Sequence, residues 1–215
     1  MIIKHILSKN FFIGKTKKKR NYLFKNFLTI IYNNFDIIDV KKLSITLFLY
    51  KKYIKKILYD KKKILFISTK NFLREIVYKY ARSLNQNFVC NKWIAGILTN
   101  SNNYKKILNK SILFKKNINL KFTKKEKNIF LKKEQKIEII YGGLRGMVNH
   151  PYLVIITDIK KDKIAINEAK RLKIKILALI NTDNNPLDID FIIPCNNNSI
   201  DCVNNIFKIL FSEIC

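Results

Sequence analysis

The chain has 215 residues, of which 43 are Lys or Arg and 15 are Asp or Glu, giving a formal net charge of +28 and a pI of about 10.0. Hydrophobic residues make up 48% of the sequence, which is enough to bury a core and excludes a disordered basic tail. A folded chain with this charge predicts a polyanionic partner and one large domain, or a domain with an appendage.

The size of the charge has a second explanation in base composition. Lys and Asn have AT-rich codons, and the chain holds 38 Lys and 26 Asn but only 5 Arg and 5 Ala. The distribution separates the two explanations, because residues 1–60 carry +11, residues 61–100 carry +7, residues 101–150 carry +10 and residues 151–215 carry no net charge. Codon drift alone would make the last segment basic too, so the confinement of charge to the first 150 residues indicates function.

Residues 1–35 are predicted to form a basic arm. Five cations occur within six positions of it, at Lys15, Lys17, Lys18, Lys19 and Arg20. Cations clustered on a flexible arm can each displace counterions from phosphate, which favours nucleic-acid contact over a merely solvated surface. The start of the chain lacks the pattern of a signal or transit peptide, and the apolar run at 43–50 is too short to cross a bilayer, so neither import nor a membrane partner is expected.

Short apolar runs then alternate with amphipathic stretches. Strands are predicted over 36–40, 64–67, 88–90, 152–157, 175–180 and 189–193. Helices are predicted over 43–59, 71–84, 162–172 and 199–211. Apolar strands separated by helices predict an α/β fold with a mostly parallel sheet flanked by helices, of the flavodoxin or Rossmann kind, built from residues 36–100 and 148–215.

Residues 101–147 interrupt this alternation. Tyr104, Ile107 and Leu108 lie on one helical stripe, and the sequence Thr123-Lys124-Lys125-Glu126 is a capping box that opens a second helix ending at Gly142. The segment predicts a helical hairpin inserted into the α/β domain. Its charge of +10 favours an RNA-gripping arm over solvation alone.

Polar residues follow several predicted strands, where open parallel sheets bind ligands. An α/β enzyme or a nucleotide- or phosphate-binding module using Ser68, Asp158 and Asp183 is therefore the alternative hypothesis. Against it, the chain has neither a G-x-G-x-x-G nor a P-loop motif. The default explanation for Ser68, Thr69 and Asp162 is helix N-capping.

Metal chemistry has little support in the sequence. The four cysteines form no C-x-x-C pair, and only His5 and His150 could complete a site, so buried thiols are expected and neither a metal nor another cofactor is. Trp93 is the single tryptophan and stands three residues before Gly96 in a predicted turn. From the residues alone it could pack in the core or stack on a base.

An ordered series of motifs resembles the S-two family of small-subunit ribosomal proteins, from about residue 10 to residue 211. The matching segments are Lys63-Ile64-Leu65-Phe66-Ile67-Ser68-Thr69-Lys70, Lys92-Trp93-Ile94-Ala95-Gly96-Ile97-Leu98-Thr99-Asn100, Thr123-Lys124-Lys125-Glu126, Gly142-Gly143-Leu144-Arg145, Ile164-Ala165-Ile166-Asn167-Glu168-Ala169 and Asp190-Phe191-Ile192-Ile193-Pro194. The sequence departs from the family at Phe12-Ile13-Gly14-Lys15-Thr16, where both family histidines are missing, and at Cys195, which replaces a glycine.

The resemblance implies a non-catalytic structural protein that binds small-subunit rRNA at the head–body junction on the solvent side, next to other small-subunit proteins and without a small-molecule substrate. The residues expected to face rRNA are Lys15, Lys17, Lys18, Lys19, Arg20, Lys92, Trp93, Thr99, Asn100, Lys105, Lys106 and Arg145. Codon drift and the absent presequence predict an organelle-encoded protein of the mitochondrial ribosome, or alternatively of a plastid ribosome.

Overall fold

The structure, a computed structural model, describes residues 13–117 and 123–212. The part of the predicted basic arm at 1–12, the hairpin residues 118–122 and Cys215 lie outside these residues. So do the side chains of Lys17, Ile30 and residues 112–117.

The described residues hold eight strands and six α-helices. The strands are β1 (Ile13–Thr16), β2 (Leu28–Tyr32), β3 (Phe35–Ile38), β4 (Ile64–Ile67), β5 (Asn87–Val89), β6 (Leu153–Ile156), β7 (Lys175–Ile180) and β8 (Phe191–Pro194). The helices are α1 (Val40–Tyr59), α2 (Arg74–Ser83), α3 (Ser101–Asn117), α4 (Lys124–Tyr141), α5 (Lys163–Arg171) and α6 (Ile200–Phe211). Short 3-10 helices span Lys17–Lys19, Tyr22–Phe27, Asn71–Leu73 and Gly142–Leu144.

The main sheet is parallel, with strand order β5-β4-β6-β7-β8. Every residue of β4 and β6 is buried, which is why these strands are continuously apolar in sequence rather than alternating. The α/β prediction with a mostly parallel sheet is therefore confirmed. All amino ends of these strands lie at one edge, which we call the amino edge, and all carboxyl ends lie at the other, the carboxyl edge.

Two apolar cores cover the two faces of this sheet. Alternate residues of β4 divide between them, with Ile64 and Phe66 in one core and Leu65 and Ile67 in the other. The first core is completed by α1, α2 and α6, and the second by α5, the hairpin base and the segment around Trp93. Helices on both faces make this a layered α/β domain.

Residues 13–38 differ from the prediction. The segment expected to be a flexible arm, together with the strand predicted at 36–40, forms an antiparallel sheet of order β1-β3-β2. Asn33 and Asn34, both with positive φ (45° and 65°), make the tight two-residue turn between β2 and β3. The strand predicted at 36–40 therefore belongs to a separate hairpin and not to the parallel sheet.

The hairpin helices α3 and α4 contact each other. Thr123 and Glu126 form the predicted capping box, and α4 ends at Tyr141 before Gly142. The rings of Tyr104 and Tyr141 stack with centroids 6.2 Å apart. These rings, buried in the second core, anchor the base of the hairpin to the sheet.

Candidate nucleic-acid interface

Residues 91–100, here the Trp loop, follow β5 at the carboxyl edge. The loop is folded by its own backbone, since the amide of Asn100 donates to the carbonyl of Gly96 at 2.8 Å and that of Ile97 donates to Ile94 at 3.3 Å. Gly96 has φ of +95°, a conformation that a residue with a Cβ adopts only with strain. The glycine is thus required by the turn.

A single buried carboxylate, Glu168 of α5, holds this loop in place. Its Oε1 accepts hydrogen bonds from Nε1 of Trp93 at 3.0 Å and from the amide of Gly96 at 2.8 Å. Its Oε2 accepts from the amides of Leu98 at 2.9 Å and Thr99 at 3.3 Å. Glu168 is 6% exposed and so has little contact with water. The four donors provide the hydrogen bonds that water would otherwise make to its carboxylate.

The hydrogen bonds to Glu168 determine which side chains of the Trp loop are exposed to a ligand. Trp93 is 7% exposed and packs in the second core with its only donor occupied, so the structure favours core packing over the predicted contact with RNA. Lys92, Thr99 and Asn100 are exposed on the same loop, so their side chains remain available to a ligand.

The basic run at 15–20 is held against the carboxyl edge. The amide of Lys15 donates to Oγ1 of Thr182 at 2.9 Å, and the amide of Asn21 donates to the carbonyl of Thr182 at 2.9 Å. A Cβ on Gly14 would come within 2.5 Å of the Thr182 side chain, so a glycine is needed for this close packing.

The cations of the run differ in what they can reach. Arg20 pairs with the fully buried Asp36 at 3.3 Å and so serves the fold at least in part. Lys18 and Lys19 are exposed, and Lys15 is half-buried. Thr16 and Lys15 lie in β1, so the run is an ordered rim and not a loose arm.

Three predicted contact residues lie at the base of the hairpin. Lys105 donates to the carbonyl of Val148 at 2.6 Å, and Lys106 beside it is exposed. Arg145, just after the hairpin, is exposed and pairs with Glu138 of α4. The carbonyl of Arg145 accepts from Asn87 at the start of β5, which places this residue at the amino edge. The predicted contact residues are thus split between the two edges.

The polar residues at the carboxyl edge bind one another. Lys70 is 4% exposed and pairs with Asp158 at 3.1 Å, while it also donates to the carbonyl of Asn197 at 3.0 Å. The hydroxyl of Thr157 donates to Ser68 at 2.8 Å, and Lys160 pairs with Asp183 at 2.6 Å. The side chains proposed for an enzyme site are therefore occupied by neighbours.

Asp162 is the exception at this edge. It is fully buried, and neither carboxylate oxygen has a hydrogen bond of normal geometry, although the hydroxyl and amide of Thr69 lie close enough to interact with it. Burial raises the pKa of its carboxyl to about 6, opposed by the nearby Thr69 and reinforced by the charge of Asp158. Although Asp162 stands at the N-cap of α5, its side chain makes no capping bond, and the 3-10 helix after β4 is preceded by Lys70. The capping roles predicted for Ser68, Thr69 and Asp162 are therefore wrong.

Thiols and metal ligands offer no reactive cluster among residues 13–117 and 123–212. No group of three His, Cys, Asp or Glu side chains in this part of the chain could hold a metal ion. Cys90, Cys195 and Cys202 are buried free cysteines, and burial raises the pKa of Cys90 to about 12 and that of Cys195 well above its usual value. Within the same ranges, no helix is long and apolar enough to cross a membrane.

The sequence matches the profile of the family described as ribosomal protein S2 over residues 6–215. The small ribosomal subunit protein uS2 of Carsonella ruddii (strain PV) is 53% identical over 216 residues, which cover both chains completely. The chain belongs to the ribosomal protein S2 family. The uS2 proteins of Karelsulcia muelleri (strain GWSS) and Anaplasma phagocytophilum (strain HZ) are 31% and 33% identical, over 94% and 79% of this chain and 92% and 58% of theirs.

Family membership explains why the polar side chains at the carboxyl edge bind one another. The chain is a structural protein of the small ribosomal subunit and not an enzyme, which overturns the alternative built on Ser68, Asp158 and Asp183. In this S2-family chain these polar side chains form contacts within the domain at the ends of its strands.

The buried carboxylate of Glu168 was not singled out by sequence reasoning, although it stands in one of the family motifs. A signal for it existed. Ala165, Ala169 and Glu168 share the buried side of α5, so a lone carboxylate occurs on an otherwise apolar helix face. A charge in that position requires buried donors, and the Trp loop provides them.

Proposed function

We propose that this chain binds small-subunit rRNA chiefly through phosphate contacts made by its first 150 residues. The observation that carries the proposal is the distribution of charge, since the whole net charge of +28 lies before residue 151. In the remaining part, Asp183, Asp188 and Asp190 pair with three lysines. Surface cations in excess of carboxylates are therefore concentrated in the first 150 residues, which include the basic run, the Trp loop and the hairpin.

The contact residues we retain are Lys15, Lys17, Lys18, Lys19, Arg20, Lys92, Thr99, Asn100, Lys105, Lys106 and Arg145. Exposure supports Lys18, Lys92 and Asn100 most directly. Phosphate and 2′-hydroxyl contacts are expected to outnumber base-edge contacts, because A-form RNA hides its bases in a deep major groove.

The basic and the neutral parts of the chain are expected to have different roles. The hairpin at 101–147 and the basic segment at 1–35 would hold RNA, while the α/β domain at 36–100 and 148–215 would supply the scaffold. Its neutral C-terminal part would face solvent or neighbouring small-subunit proteins. The expected position, from the family resemblance, is the head–body junction on the solvent side of the subunit.

Salt dependence tests the proposal. Binding of the free protein to small-subunit rRNA fragments is expected to fall linearly on a log–log salt plot, by about 0.7 to 0.9 per contacted phosphate. Duplex DNA of equal length is the control, because a general DNA-compacting protein would bind both equally. An affinity that does not change with salt, or equal affinity for DNA, would contradict the proposal.

The compartment is a separate question. Codon drift predicts an organelle ribosome, mitochondrial or plastid, and this stays a prediction. The relative that is 53% identical comes from a bacterial endosymbiont with a reduced genome. We infer that a bacterial ribosome explains the same composition, because drift of this kind is not specific to organelles. The DNA that flanks the coding sequence, organellar or bacterial, distinguishes the two.

A further inference from the structure

Two clefts meet at the amino edge of the main sheet, away from most of the contact residues predicted from sequence. One has a volume of about 500 Å³ and lies between the turn at 61–63 and the loop at 146–152. The other, of about 360 Å³, lies between the end of α2 and the turn at 142–146. Lys63 and Gly146 line both clefts, so the two adjoin, and together they are here called the amino-edge groove.

The sheet topology creates this groove. Strands β5, β4 and β6 are neighbours, and the segments that lead into them therefore converge at their amino ends. The amide of Tyr152 donates to the carbonyl of Lys63 at 2.8 Å, which joins the lead-in segments of β6 and β4. Asn87 donates to the carbonyls of Gly143 and Arg145, both at 3.1 Å, which joins β5 to the end of the hairpin.

The lining of the groove is strongly cationic. Five cations line it together with one carboxylate, and they are Lys61, Lys62, Lys63, Arg82 and Arg145. That carboxylate, Glu138, is already paired with Arg145. All five cations are exposed. Lys62 also pairs with Asp60 at 3.1 Å, and Lys63 donates to the carbonyl of Asn85 at 3.2 Å. Both contacts lie at the surface, where such pairs are weak and a phosphate can replace them.

Helix dipoles explain only part of this cluster. Lys61 and Arg82 stand at the C-terminal ends of α1 and α2, where cations are stabilising. Lys63 and Arg145 are not in the last turn of an α-helix, yet they line the same groove. An aromatic side chain also borders it, since Tyr152 is 44% exposed and Nζ of Lys62 lies 4.5 Å from the centre of its ring. Cations beside an exposed ring suit a strand that carries phosphates and flat bases.

We propose that the amino-edge groove binds the sugar–phosphate backbone of an rRNA strand, as a contact surface additional to the hairpin and the Trp loop. The proposal rests on the proposed function, since it takes the partner to be rRNA. Lysines 61–63 hold consecutive phosphates in one cleft, and Arg82 and Arg145 hold those in the other, with Gly146 at the crossing. Apart from its two chain neighbours, Gly146 has no residue within 4 Å of the place of a Cβ, so the space beside it is open.

The test compares two full-length triple variants that lose the same charge. Lys61→Gln, Lys62→Gln and Lys63→Gln remove the groove lysines, whereas Lys161→Gln, Lys163→Gln and Lys208→Gln remove three exposed lysines of the neutral C-terminal part. The groove variant should bind small-subunit rRNA about 10- to 100-fold more weakly at about 0.1 M salt, with a log–log salt slope reduced by about 2 to 3. The control variant should stay within about 3-fold of the wild type.

The outcomes separate the two proposals. If the wild type binds rRNA with a steep salt slope and both triple variants lose affinity equally, the groove proposal is overturned and the proposed function survives. If the wild type shows no salt-dependent rRNA binding, the proposed function itself fails. Should the groove variant lose binding to polyglutamate but keep its rRNA affinity, the groove takes an acidic protein segment and the RNA proposal is overturned. Urea unfolding of both variants checks that they fold.

Discussion

The two edges of the parallel sheet use their charges differently. At the carboxyl edge, where α/β enzymes bind ligands, Lys70 and Asp158 are buried together and Lys160 pairs with Asp183. At the amino edge, five exposed cations face open clefts, and the two that have carboxylate partners, Lys62 with Asp60 and Arg145 with Glu138, form these pairs at the surface. The strand ends that an enzyme would use are thus occupied by internal pairs, and RNA contact at that edge is left to the Trp loop and the basic run. The strand ends at the opposite edge face open clefts lined by cations. The position of unpaired charge, more than the fold, indicates function.

The largest loss of stability is expected from replacing Glu168, the single carboxylate that holds the Trp loop. Glu168→Ala removes the acceptor for four donors and leaves buried amides unpaired, so the free energy of unfolding should fall by about 3 to 5 kcal/mol. Urea denaturation measures this loss.

Glu168→Gln serves as the milder variant in case the alanine protein does not fold. It keeps one acceptor oxygen and should lose about 2 kcal/mol. Hydrogen exchange at the amides of Gly96, Leu98 and Thr99 should accelerate in the variant. Unchanged exchange at these amides would show that Glu168 does not hold the Trp loop.

The next effect concerns the buried pair at the carboxyl edge. Lys70→Met leaves the carboxylate of Asp158 buried without its cation, and we expect a loss of about 3 kcal/mol in the free energy of unfolding. The double variant Lys70→Met with Asp158→Asn should recover part of that loss. A double variant whose loss equals the sum of the two single losses would contradict an internal ion pair.

Replacing Asp162 is expected to increase the free energy of unfolding, unlike the substitutions above. Its pKa is raised from 3.8 to about 6, so its buried charge is a penalty that is absent below pH about 4, grows as pH rises and is complete above pH about 6. Asp162→Asn should therefore raise the free energy of unfolding at pH 7, by at most about 3 kcal/mol. The difference between variant and wild type should shrink as pH falls toward 4.

The exposed Asp201, in the first turn of α6, supplies the control for this pH profile. Asp201→Asn should not reproduce the growth of the difference between pH 4 and pH 6. A gain from Asp162→Asn that is equal at pH 4 and pH 7 would refute a buried, titrating carboxyl.

The smallest effect on stability is expected at the open edge. Arg145→Gln removes an exposed ion pair with Glu138, which should change the free energy of unfolding by less than about 1 kcal/mol. The same change should reduce the log–log salt slope of rRNA binding by about 0.7 to 0.9. Stability that falls without a change in slope would assign Arg145 to the fold.

Local patterns in the sequence were sufficient to predict the layered domain. The continuous apolar runs of β4 and β6 and the capping box at Thr123 depend on residues a few positions apart, and the structure has them where the sequence placed them. The antiparallel sheet of residues 13–38 was missed although Asn33-Asn34 is a turn signal, because the lysine run dominated the interpretation.

The site depended on contacts between distant positions. Trp93 and Glu168 are separated by 75 residues, and no periodicity relates them. The amino-edge groove likewise combines the turn at 61–63 with Arg82 and Arg145, which only the strand order brings together. Charge could be read from the sequence by segment, but whether a cation is buried, paired or open is a property of the folded chain.

Directed hydroxyl-radical probing of assembled small subunits tests the central claim most directly. An iron chelate would be attached at Asn149→Cys in the amino-edge groove or, as the matched site, at Asp201→Cys in the neutral C-terminal part, with Cys215→Ser in both proteins. The three cysteines in the described residues are buried, which keeps the attachment specific. The account predicts strong rRNA cleavage from position 149 and weak cleavage from position 201. Cleavage from position 201 alone would contradict it.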